Sequence, residues 1–233
     1  MRRITFKGAE LEGFELTLPA SYLKLIFPES GQLEPTRPLP DGPRPTAMRT
    51  YTPLAVRPEA LEVDVDFVLQ GEGPASTWAA QAQVGQVLFL MGPGAGYAVD
   101  TATAQHLLIA DDSALPAIET ILAALPASTT VHVLLEVINA AEERPLQSAA
   151  TLTVQWLPRG TDNRAAGQPL LAALRAMPQI QPDSKIYLAC EAAAMRSIRQ
   201  LLTVELCIDR KQIIGRGYWK LDVVNHPDHD YGE

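Results

Sequence analysis

The sequence predicts an antiparallel β domain over residues 1–100, followed by a mainly parallel α/β domain with a C-terminal tail over residues 101–233. Two changes of pattern carry this reading. Up to about Asp100, short segments alternate apolar and polar residues and are punctuated by turn formers, the grammar of antiparallel β structure. From Gln105 onward, compact apolar runs alternate with helical stretches, which is how a parallel sheet covered on both faces reads. A third observation is size: 233 residues, 47% of them hydrophobic, supply a core for one large domain or two small ones.

In the first half the expected strands are Arg3–Phe6, Tyr22–Phe27, Thr50–Val56, Leu61–Leu69, Val87–Met91 and Tyr97–Val99. The clearest is Leu61-Glu62-Val63-Asp64-Val65-Asp66-Phe67, apolar on one face and acidic on the other. Between Pro28 and Pro45 a proline-rich stretch cannot continue a ladder and reads as a surface loop. In the second half, His106–Ala110 is an apolar strand, and Asp111-Asp112-Ser113 supplies a cap for a helix over Ala114–Leu125. Pro116 is tolerated there because it falls in the first turn. Strands Thr130–Val137 and Thr151–Leu157, helix Pro169–Met177, strand Lys185–Cys190, helix Glu191–Leu206 and a last strand near Gln212–Gly215 complete the expectation.

The formal net charge is −8, which argues against non-specific nucleic-acid binding while leaving room for a local basic pocket. No apolar run approaches a membrane span, and the N-terminus turns polar too early for a signal peptide. Cys190 and Cys207 are the only cysteines and form no C-x-x-C, so two free thiols in a reducing compartment are expected. The expectation is a soluble, cytoplasmic protein with no stable membrane insertion.

Several segments carry candidate chemistry. Arg49-Thr50-Tyr51-Thr52 places an aromatic ring, a hydroxyl and a guanidinium on one strand, suited to a flat, phosphorylated cofactor. Alone, an ordinary strand with a half-buried tyrosine explains it better. Gly71-Glu72-Gly73-Pro74-Ala75-Ser76-Thr77-Trp78-Ala79 opens a short helix, whose first N–H groups and dipole make a pyrophosphate-sized anion site; a tight turn with a serine cap is an equal alternative. Gly92-Pro93-Gly94-Ala95-Gly96 resembles a dinucleotide fingerprint but leads into no helix, so a turn is expected. His226-x-Asp228-His229-Asp230 has metal-ligand residue types within a polar terminal stretch, where a frayed tail is the better reading and no metal site is expected. His106 and His132 begin strands singly and read as structural. Arg196 and Arg199 share a helix face, open to nucleotide phosphates or to surface ion pairs. Arg210, Lys211, Arg216 and Lys220 form a local basic cluster. No Ser-His-Asp order, Walker loop or paired-carboxylate arrangement stands out, which suits chemistry carried by a cofactor.

Arg49-x-Tyr51-Thr52, Gly73-Pro74-Ala75-Ser76-x-Trp78-Ala79, Asp112-x-Ala114-Leu115-Pro116-Ala117-Ile118 and Gly217-Tyr218-Trp219-Lys220 occur in this order. Together they resemble the siderophore-interacting proteins, relatives of the ferredoxin reductases, over essentially the whole chain. The resemblance implies a six-stranded barrel that binds FAD, with Arg49, Tyr51 and Thr52 holding the isoalloxazine and ribityl-phosphate side and Gly73, Ala75 and Ser76 receiving the pyrophosphate. It implies that Asp112 opens the half that binds NADH or NADPH, with Glu191 lining its cleft, and that Tyr218 and Trp219 lie near the flavin's adenine end or the cleft mouth. Lys220 and Arg216 are then the lip for an anionic ferric siderophore. Two departures stand out. Gln70 takes a position where many relatives have histidine. Relatives also carry a further strand before the segment matching Arg2–Phe6, so the expectation is a barrel lacking its first strand or a start lying upstream. The implied activity is an NAD(P)H- and FAD-dependent ferric-siderophore reductase; a general flavin-linked electron-transfer reductase and a non-catalytic siderophore binder remain alternatives.

Overall fold

The computed structural model describes residues 1–233 apart from 30, 33, 40, 44, 70–72, 163–164, 178, 224–225, 227–229 and 232–233. The chain divides into two compact units, Met1–Ala98 and Val99–Glu233.

The first unit holds β1 (Arg2–Lys7), β2 (Tyr22–Ile26), β3 (Met48–Tyr51), β4 (Pro53–Arg57), β5 (Glu62–Phe67), helix α1 (Pro74–Gln81) and β6 (Phe89–Gly94). Pairing runs β1-β5-β4 in one sheet and β3-β2-β6 in the other, antiparallel throughout. Six strands are thus present, as two three-stranded sheets and not as the expected barrel; among the described residues no closed ring of pairing joins them. The expected single strand Thr50–Val56 is divided at Thr52, where the chain leaves one sheet for the other. The cause is local: Pro53 has no N–H to give, and the register slips between Pro53 and Ala55. Both sheets and α1 feed one core, with Leu23, Leu25, Phe27, Val63, Val65, Phe67, Ala75 and Ala79 buried together.

On the outer face of β5 the acidic alternation is covered by cations. Arg57 grips Asp64 with both terminal nitrogens at 2.7 and 2.8 Å, and Arg3 pairs with Asp66 at 2.7 and 3.0 Å. The glycine-rich run at 92–94, expected as a turn, continues β6 instead. A Cβ at Gly94 would stand 2.1 Å from the Tyr22 ring, so only glycine lets these strands approach. The expected strand Tyr97–Val99 does not form; Tyr97 is buried in a loop, its N–H donating to the Pro19 carbonyl at 2.7 Å.

The second unit holds β7 (Gln105–Asp111), α2 (Leu115–Ala124), β8 (Thr130–Val137), β9 (Thr151–Pro158), α3 (Gln168–Ala176), β10 (Lys185–Glu191), α4 (Ala192–Gln200) and β11 (Ile213–Trp219). The order is β11-β10-β7-β8-β9, all parallel. The chain steps outward from β7 to β8 to β9, then returns across β7 to lay down β10 and β11. In open α/β sheets such a reversal marks a ligand crevice outside the carboxyl ends of the strands, here those of β7 and β10. The expected helix Glu191–Leu206 is α-helical only to Gln200; Leu201–Glu205 widens into π turns, closed by Leu206 N–H on the Leu201 carbonyl at 3.0 Å. Among the described residues no helix is long and apolar enough to cross a membrane.

Candidate functional site

The crevice of the second unit is lined by charge that is almost entirely buried. β7 ends on Asp111, which caps a short 3-10 turn, Asp112–Ala114, leading into α2. The Asp111 carboxylate joins three strand ends. One oxygen accepts the Ser113 N–H at 3.0 Å and the Ser113 hydroxyl; the other accepts the Glu191 N–H at 2.9 Å and the Trp219 indole N–H at 2.8 Å. Glu191, at the end of β10, caps α4 by accepting the Ala194 N–H at 2.8 Å, and its other oxygen accepts the Leu221 N–H at 3.3 Å. Glu136, near the end of β8, accepts from Arg159 at 2.8 Å and from the Gly167 N–H at 2.8 Å, and the side chains of this ion pair are fully buried.

Asp112 is the exception. It is 2% exposed, and neither carboxylate oxygen meets a donor among the described residues. Burial, reinforced by the neighbouring Asp111 charge and partly offset by Arg159, pushes its pKa up to about 7. Burial also raises Asp111 and Glu136, and pushes the Cys190 thiol well up. Among the described residues no group of His, Cys, Asp and Glu side chains forms a metal cage.

The structure brings Asp112, Glu191 and Trp219 to this one crevice, together with Asp111, Glu136 and Arg159, which sequence reasoning did not single out. Asp111 was legible only as a helix cap. Glu136 gave a signal, as a lone charge inside the apolar run Leu134-Leu135-Glu136-Val137. The Tyr218 hydroxyl lies 3.1 Å from that of Tyr187. Lys220 is exposed just beyond β11, in a bridge to Val223. Arg216 stacks on the Tyr231 ring at 4.4 Å. Arg196 is bonded to the Asp230 carboxylate at 2.6 Å, with His226 Nε2 3.0 Å from the same oxygen. Here the expected frayed tail is instead seated, at Asp230, on β11 through the Gly217 N–H at 2.8 Å; Asp228 and His229 lie outside the described residues.

In the first unit, Arg49 on β3 turns one terminal nitrogen to the carbonyls of Thr46 at 3.0 Å and Met48 at 2.9 Å. The Tyr51 ring leans on Phe67 at 4.5 Å between centroids, and burial raises its hydroxyl pKa. Thr52 is buried at the strand break. Gly73 is the N-cap of α1, with Pro74 at the first helical position; among the described residues no side chain caps the helix start and nothing lies within 4 Å of where a Cβ would stand. Ala75 is buried beneath that turn and Ser76 half-exposed in it. Gln70, Gly71 and Glu72 lie outside the described residues. At the other end, Arg2 donates to the carbonyls of Ala79, Ala80 and Ala82 at 2.7, 2.6 and 3.0 Å, capping α1 with a cation where its dipole is negative.

Residues 1–97 match the siderophore-interacting FAD-binding domain, and residues 103–222 match the siderophore-interacting protein family. The chain belongs to the siderophore-interacting protein family. It is similar to the ferric vibriobactin reductase ViuB of Vibrio cholerae, 31% identical over 94% of this chain and 83% of that protein. It is similar also to the NADPH-dependent ferric-chelate reductase of Escherichia coli, 29% identical over 94% of this chain and 86% of the other. Among solved structures, a siderophore utilization protein from T. fusca superposes with a TM-score of 0.86 at 29% identity, covering 97% of this chain and 89% of that one.

The residues present in this siderophore-interacting chain fit an FAD. The first turn of α1, with no side-chain cap among the described residues, has N–H groups and a positive dipole end of the kind a pyrophosphate takes. The half-exposed Arg49 adds a guanidinium braced by two carbonyls.

Proposed function

We propose that this chain is a cytoplasmic NAD(P)H- and FAD-dependent ferric-siderophore reductase, with the FAD held by residues 1–100 and the nicotinamide by residues 101–233. The observation that carries the reading is the match of residues 1–97 to a siderophore-interacting FAD-binding domain, followed by a parallel sheet with a switch-point crevice. The names of the two similar reductases point the same way.

Bound FAD supplies the chemistry, accepting two electrons at once and returning them singly to ferric iron. The protein's own residues bind and orient. Arg49 places its fork against a phosphate oxygen, while the Ala75 and Ser76 N–H groups receive the pyrophosphate at the helix start. Thr52 and Tyr51 border the flat ring. Asp112, Glu191 and the Tyr218-Trp219 pair shape the nicotinamide side. Lys220, and Arg216 where Tyr231 leaves it accessible, attract an anionic ferric chelate. Ferrous iron holds hard oxygen ligands far more weakly than ferric iron, so reduction loosens the chelate.

The test is anaerobic mixing of the FAD-reconstituted protein with NADH or NADPH and several ferric siderophores, following ferrous iron with a trap. Nicotinamide-dependent trapping at a rate that depends on the siderophore is expected. A flavin that is reduced but passes electrons to no ferric chelate would return the reading to a general electron-transfer reductase; a chain that takes up no FAD would leave a binder.

A further inference from the structure

The carboxyl ends of β7, β8 and β10 gather four carboxyls: Asp111, Asp112 and Glu136 lie near the Arg159 guanidinium, the one cation there among the described residues, and Glu191 is joined to Asp111 through its N–H. Three of the four are satisfied by N–H donors of the protein. Asp112 alone is buried without a partner among the described residues. An anionic group brought here meets repulsion, and no metal cage is present among the described residues. What such a floor favours is a flat ring carrying positive charge. The half-buried Trp219, tied to Asp111 by its indole N–H, adds an aromatic surface of the kind cations prefer.

We propose that Asp112 and the carboxyl cluster around it are the counter-charge of a pyridinium, so that this crevice binds oxidised nicotinamide in preference to reduced. The inference rests on the nicotinamide-dependent reading above and deepens it. Oxidised and reduced nicotinamides differ by one hydride, so the oxidised ring carries one more positive charge. A site that stabilises that charge favours the product side of hydride donation and the charge that develops on the way to it.

The resting protein holds Asp112 mostly as the neutral acid below about pH 7, because burial and the negative neighbours oppose its charge. The groups acting on it are Asp111 at the end of β7, Glu136 on β8, Glu142 beyond β8, and Arg159 beyond β9 as the opposing cation among the described residues; Glu191 and the Cys190 thiol on β10 lie on the far side of Asp111. The first turn of α2 contributes no acidic group. A pyridinium beside Asp112 draws the proton off. Binding of the oxidised ring is therefore linked to proton release and strengthens as pH rises through about 7.

The experiment is calorimetric titration of the FAD-loaded protein with NAD+ and with 1,4,5,6-tetrahydro-NAD, a redox-inert ligand with a neutral ring, in two buffers of different ionisation enthalpy. The phosphorylated pair is run in parallel, because the 2′-phosphate is common to both members and cancels. At pH 7 the oxidised ligand should release up to about half a proton more than the neutral one. The ratio of their affinities should rise about tenfold from pH 6 to pH 8, following the ionised fraction of a group near 7. Asp112→Asn should abolish both differences, and the wild-type comparison decides the matter even if that variant folds poorly. Equal proton counts with a pH-independent ratio would overturn this inference and leave the reductase reading standing. Failure of the folded, FAD-loaded protein to bind either ring would sink both.

Discussion

Asp111 does more than cap a turn. Its two oxygens take hydrogen bonds from Ser113, Glu191 and Trp219, so one carboxylate ties together the ends of β7, β10 and β11. The adjacent Asp112 has none of these donors: burial raises both carboxyls, but only Asp111 has hydrogen bonds to offset it. Little in the dipeptide distinguishes them: Ser113 is a local donor to Asp111, but the other two donors come from residues 80 and 108 positions away. Arg49, braced by the Thr46 and Met48 carbonyls, is the proposed cofactor contact at this scale. Arg49→Ala should weaken FAD retention by about 1.5–3 kcal/mol, the scale of a charge-assisted hydrogen bond, whereas Ser76→Ala should do less because the backbone N–H groups survive. Titration of the apoprotein with FAD, followed by flavin fluorescence, checks this; unchanged affinity in the Arg49 variant would remove it from the cradle.

At the scale of elements, strand and helix identities were largely legible from periodicity, and their ends were not. Thr130–Val137 is expected and found with the same bounds, because its apolar run is bounded by turn residues on both sides. The stretch Thr50–Val56 has unbroken β composition yet forms two strands, since the break depends on which sheet each half can pair with. The Glu136–Arg159 pair joins β8, the segment after β9, and the start of α3 through Gly167, and it is wholly buried. Arg159→Met leaves the Glu136 carboxylate without its cation. It should cost about 3–5 kcal/mol in urea unfolding at pH 7, and adding Glu136→Leu should restore much of that. A loss below about 1 kcal/mol would mean the pair is not what holds these elements.

At the scale of the molecule, a chain of formal charge −8 must attract an anionic chelate by a local field. Lys220, exposed beyond β11, is the residue proposed to supply it. Lys220→Glu should raise the KM for anionic ferric siderophores several-fold and leave flavin reduction by nicotinamide nearly unchanged. The defect should shrink as salt is added, since exposed charges are screened over about 10 Å at ordinary ionic strength. Steady-state kinetics with anionic and neutral chelates at two salt concentrations separates this from a packing role, for which both chelates would lose equally.

The sequence by itself determined the order of the two domains, the alternation of strand and helix, the family, and a set of residues suited to a flavin and a nicotinamide. These follow from local causes: the period of apolar residues, the conformations open to glycine and proline, and short motifs in a set order. Only the tertiary structure decided that six strands pair as two sheets, that Arg2 caps the far end of α1, and that four carboxyls and one arginine meet at a strand reversal. Those outcomes depend on which distant segments exclude water from one another. Burial changes a carboxyl's pKa and its partners far more than its own neighbours in the chain do.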